Sequence, residues 1–125
     1  MIEPRFLLDT NILVYLLAGK STALRRQLEA HEPGSVATSA LCVAEALIGT
    51  ARNGEQASFD ALLAVIVPLP FDLAAAGRFP LVPFRGGKLD RLIAAHALAL
   101  DLTLITANEG DFADVPGLRI ENWTR

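Results

Sequence analysis

Residues 89–106 read LDRLIAAHALALDLTLIT. Two periodicities meet in this stretch. From Leu89 to Leu100 the apolar residues keep helical spacing, and the stripe through Ile93, Ala94 and Ala97 is small enough for close packing on a sheet. Leu102-Thr-Leu-Ile105 then runs as a strand and stops at Thr106. A helix feeding directly into a short apolar strand is half of a βαβ unit, so the rest of the chain is read for its companions.

Upstream, Phe6-Leu-Leu8 is too short for a helix and continuous enough for a strand buried on both faces. Ile12–Leu17 follows as an apolar turn or two closed by Gly19. Ser21 or Thr22 caps a helix to about His31, and Ser35–Thr38 reads as a second strand. Ser39 caps a helix ending at Asn53-Gly54, Gln56–Leu63 is another, and Val65–Val67 a third strand before Pro68 and Pro70. Asp72–Arg78 is a short helix. Arg85-Gly-Gly-Lys88 is a loop, and Leu118–Glu121 closes the chain as a last strand. Strands separated by helices predict an α/β fold: a three-layer α/β/α sandwich around a central parallel sheet of four to five strands, one domain over residues 1–125.

Composition excludes several classes. The chain has 125 residues, 52% hydrophobic and 20% charged, which rules out intrinsic disorder. Its net charge of −3 rules out nucleic-acid binding by bulk charge alone. A single cysteine, Cys42, excludes an internal disulfide and a multi-cysteine zinc site. The N-terminal residues lack the order of a signal peptide, and no apolar run approaches the ~20 residues of a membrane span, so a cytoplasmic protein is expected. The apolar surplus favours a second copy as partner.

In a parallel sheet, ligands gather beyond the carboxyl ends of the strands. Asp9 closes the first strand, where it can serve as a helix cap but is read first as a ligand. Thr10 and Asn11 beside it can cap, or orient Asp9 or a water. Glu45 sits at the border of the apolar face of the helix after the second strand. Asp90 heads the Ile93–Ala97 stripe, either as a helix-start carboxylate favoured by the macrodipole or as a partly desolvated ligand. Thr106, Asn108, Glu109, Asp111 and Asp114 follow the fourth strand. His96, inside an apolar helix, is expected to be structural. Three or four carboxylates at the ends of three strands would repel one another, and a divalent cation removes that conflict. Hard oxygen ligands suit Mg²⁺ or Mn²⁺, and metal-assisted phosphodiester hydrolysis is the matching chemistry.

FLLDTNILVYLL, TSALCVAEALIG, LDRLIAAHALALDLTLITANEGDF and VPGLRIENW, in that order, resemble the PIN-domain nucleases, and among them the VapC-type toxins of bacterial toxin–antitoxin pairs. The resemblance covers nearly the whole chain. It implies a PIN fold, a Mg²⁺- or Mn²⁺-dependent endoribonuclease leaving a 5′-phosphate, an RNA substrate, a homodimer and an inhibiting antitoxin. Carried over by position, Asp9, Glu45 and Asp90 match the family's acids and would hold the metal. Thr106 matches the hydroxyl residue after the fourth strand, and Asn108 or Asp111 stands for a further acidic position. Arg85, Lys88 and Arg91 flank Asp90 and are expected to hold RNA phosphates. The helix before Asp90, long in relatives, is cut short here at Arg78. That leaves a second reading, a catalytically impaired PIN-like module that binds RNA or a protein. An aspartyl-phosphate enzyme is disfavoured, because a phosphatase of that type needs an Asp two residues after Asp9 and position 11 is Asn.

Overall fold

The computed structural model describes residues 2–84 and 89–125. Five parallel strands, β1 (Phe6–Leu8), β2 (Val36–Ser39), β3 (Val67–Leu69), β4 (Thr103–Ile105) and β5 (Ile120–Glu121), form one sheet in the order β3-β2-β1-β4-β5. The helices are α1 (Thr10–Ala18), α2 (Thr22–Ala30), α3 (Ala40–Asn53), α4 (Gln56–Leu63), α5 (Leu73–Gly77) and α6 (Leu89–Leu100), with single 3₁₀ turns at Phe79–Leu81 and Glu109–Asp111. From β1 the chain steps outward through β2 to β3, then crosses back to β4 and on to β5. Right-handed crossovers therefore put α1–α4 on one face and α5–α6 on the other.

The register places Leu8 beside both Thr38 and Ile105, so β1, β2 and β4 end level with one another. Leu7, Leu8, Leu104 and Ile105 are fully buried, as are Ile93, Ala94 and Ala97 of α6. The alanines let that helix lie close on the sheet, as its sequence stripe predicts. At the other end of the strands Phe6, His31 and Trp123 close the core, with His31 and Trp123 stacked at 4.8 Å between ring centres.

Three predicted elements shift. The apolar turns after Asp9 are a full two-and-a-half-turn helix, begun by Asp9 as N-cap and ended by Gly19 at φ 64°. The left-handed backbone there favours glycine. The third strand lies at Val67–Leu69, two residues later than expected, because the amides of Val65 and Ile66 still bond to Leu62 of α4. Pro68 is thus inside a strand. It is tolerated because β3 is a sheet edge, where a missing N–H can face outward. The last strand shrinks to Ile120–Glu121. No helix among the described residues is long and apolar enough to cross a membrane.

Candidate active site

The strand order reverses between β1 and β4, and at such a switch point the loops leaving the two strands diverge and open a crevice at their carboxyl ends. Asp9 stands in it. Its amide continues the ladder to the Ile105 carbonyl at 3.1 Å, which fixes the residue against β4. Its Oδ1 accepts from the Ile12 amide at 3.1 Å, the cap bond that starts α1. The cap and ligand readings are therefore compatible: one oxygen is spoken for by the helix, and the carboxylate remains at the crevice.

Asp9 is 5% exposed. Burial pushes its carboxyl from the usual 3.8 up to about 6, although hydrogen bonds from the Thr106 hydroxyl and the Ile12 amide favour the ionised form. The negative charges of Asp90 and Glu45 push it further in the same direction. Asp90, half-buried, and Glu45, exposed on its helix, thus both lie near enough to act on the Asp9 carboxyl, although they are far from it along the chain.

Each neighbour is placed by a separate element. Glu45 projects from α3, more than a turn past its Ser39 N-cap, and its Oε1 accepts from the Thr10 hydroxyl at 2.5 Å. Asp90 lies half-buried in the first turn of α6. Thr106, directly after β4, is fully buried and accepts from the Asn108 amide at 3.0 Å while its hydroxyl serves Asp9. Asn108 is thereby tied to the crevice through its backbone. Asn11 is exposed on α1. Asp111 is exposed one turn farther along, and its contribution to the packing is a carbonyl oxygen that accepts from Arg91.

Arg91 corrects the expectation of a phosphate-binding rim. It is 3% exposed, its guanidinium turned inward onto Asp114, because one residue's rotation around α6 from Asp90 faces the turn after β4 rather than the groove. Arg85 and Lys88 lie outside the described residues. Two contacts are absent from the sequence reading. Ser39 shares its hydroxyl with His96 Nδ1 at 2.9 Å, joining the start of α3 to α6. Cys42 lies beneath Thr10 and Thr38, and burial pushes its thiol up to about 11. The Ser39 cap signal marks that hydroxyl for its own helix and gives no hint of His96; nothing in the sequence singles out the second contact.

The donor set suits a hard divalent cation. The crevice offers carboxylates and hydroxyls; Cys42 is a protonated thiol, and His96 is engaged with Ser39. Among the described residues no three acidic, imidazole or thiol groups come together tightly enough to hold a metal ion by themselves. Mg²⁺, where it binds, usually takes one or two carboxylates directly and keeps several waters, so the remaining acids would act through water.

The family model for the PIN domain matches residues 6–118. The chain belongs to the PIN domain family. This PIN domain is 28% identical over 131 residues to the tRNA(fMet)-specific endonuclease VapC of Shigella flexneri, covering 96% of this chain and 98% of that one. Its fold matches VapBC2 of Rickettsia felis, solved bound to a DNA fragment from its promoter, with a TM-score of 0.85 and 27% identity over 98% of this chain and 99% of that one. It also matches a toxin–antitoxin complex from Klebsiella pneumoniae, with a TM-score of 0.73 and 30% identity over 90% and 93% of the two chains.

Proposed function

We propose that this PIN domain protein is the toxin of a toxin–antitoxin pair, an endoribonuclease that hydrolyses RNA phosphodiester bonds with Mg²⁺ or Mn²⁺ held, directly or through water, by Asp9, Glu45 and Asp90. One observation carries the reading: a buried Asp9 carboxylate at the switch point of the sheet, raised by burial and by the charges of Asp90 and Glu45. Such a grouping is costly in a module that merely binds RNA or protein. It is useful where a cation is to be held.

The cation, when bound, supplies a polarised phosphodiester and a water of lowered pKa. The protein's own groups do the rest. Thr106 and the Ile12 amide favour the ionised form of Asp9 and fix its direction. Thr10 holds Glu45 toward the crevice. Asn108 or Asp111, on the turn after Thr106, orients water or completes a second cation site. RNA phosphates fall to Arg85 and Lys88; Arg91 is committed to Asp114.

The partners are RNA, an antitoxin, and a second copy in a homodimer, acting in the cytoplasm. Exposed Val14, Leu47 and Ile48 on α1 and α3 support assembly with one or both proteins. The relative named as specific for tRNA(fMet) makes tRNA the first substrate to try. The test is purified protein freed of metal by chelation and assayed on tRNA. Cleavage is expected with Mg²⁺ or Mn²⁺, none with excess chelator, and none by Asp9→Asn or Asp90→Asn. Undiminished cleavage by either variant would overturn the assignment.

A further inference from the structure

Arg91 occupies a position that helix energetics disfavour. It sits in the first turn of α6, where the macrodipole repels a cation, and it is almost fully buried. A guanidinium in such a place is retained for its contacts. Nη1 donates to both carboxylate oxygens of Asp114, each at 3.2 Å, and to the Pro83 carbonyl at 3.3 Å; Nη2 donates to the Asp111 carbonyl. One planar group thus ties the segment entering α6, the first turn of α6 and the turn that follows β4.

Those are the pieces that carry the far wall of the crevice. The fully buried anchor of α6 on the sheet begins with Ile93. Asp90 lies a turn before that anchor, and Asn108 and Asp111 lie on the turn that Arg91 grips. We propose that Arg91 is a positioning residue that sets Asp90 against the 108–111 turn, with Asp114 as its counter-ion. The proposal rests on the nuclease reading for its kinetic consequences, but not for its metal-binding one.

The experiment compares the parent with Arg91→Met/Asp114→Leu, which replaces the ion pair by apolar side chains, and with Arg91→Lys, which keeps the charge and loses the planar fork. Three quantities are measured: thermal midpoint, Mn²⁺ affinity by calorimetry without RNA, and Mg²⁺-dependent cleavage kinetics. The double variant is expected to melt near the parent, yet to bind Mn²⁺ roughly tenfold more weakly and to lose kcat by a similar factor. KM for RNA is expected to stay within about twofold. Arg91→Lys is expected to lie between. A folded double variant with parental Mn²⁺ affinity overturns the proposal. If that variant does not fold, parental affinity in Arg91→Lys overturns it equally. A parent that binds Mn²⁺ but cleaves no RNA sinks the nuclease reading and leaves the affinity comparison standing.

Discussion

Asp9→Asn in the metal-free protein separates the cost of the site from its use. The carboxyl of Asp9 is raised from 3.8 to about 6 in the fold, about two units, and at about 1.4 kcal/mol per unit the ionised group costs about 3 kcal/mol of stability at neutral pH. The folded state holds the proton more tightly than the unfolded chain does. Stability is therefore complete below about pH 4, declines as pH rises toward 6, and stays low above it. Asparagine keeps the cap bond to Ile12 and carries no charge. In excess chelator at pH 8, the variant is expected to be more stable than the parent by up to about 3 kcal/mol, or roughly 10 °C in thermal midpoint. The gap should close at pH 4. With Mg²⁺ or Mn²⁺ the order should narrow or reverse, since only the parent gains by binding. Thermal and urea melts at pH 4, 6 and 8, with and without metal, test each part. A variant less stable than the parent by the same margin at all three pH values would refute the reasoning.

Three further outcomes are expected. Thr106→Val removes a hydroxyl that favours the Asp9 anion, so the Asp9 carboxyl should rise above about 6 and the pH midpoint of Mn²⁺ binding should move to the alkaline side, read by calorimetry across a pH series. Native protein should resist thiol alkylation at pH 8, because Cys42 is fully buried with its thiol near 11; rapid labelling without denaturant would contradict that packing. Burial lowers the pKa of His96, against the opposing charge of Asp72, so its ring resonances should titrate below the ordinary 6.5. The stability it contributes is complete above 6.5 and is lost as pH falls through the folded value; His96→Gln should flatten that acid limb in urea melts.

Position along the strands made much of the site legible. A polar side chain directly after a buried apolar run emerges at the carboxyl end of the sheet, and Asp9 and Thr106 are read this way without coordinates. Asp90 was legible through the small stripe it heads. What the sequence hides is direction around a helix axis relative to distant turns. Asp90 and Arg91 are neighbours on paper, yet one affects the Asp9 carboxyl and the other is buried on Asp114, because the path of residues 109–114 decides what Arg91 meets. The shift of β3 has a different origin. Val65-Ile66-Val67 is as apolar at a helix end as in a strand, and the prolines that signal a break inside a sheet signal nothing at its border.

That border has a consequence for how this protein can associate. At β3 the open flank of the sheet carries Pro68, which has no amide hydrogen to offer, and the opposite flank, β5, is two residues long. Neither side supplies the row of alternating donors and acceptors on which an extended segment could zip itself. Recruitment by strand addition is shut at both margins, and so is runaway stacking of one copy on the next. Among the described residues, what these margins leave for a companion to hold is side chains rather than backbone.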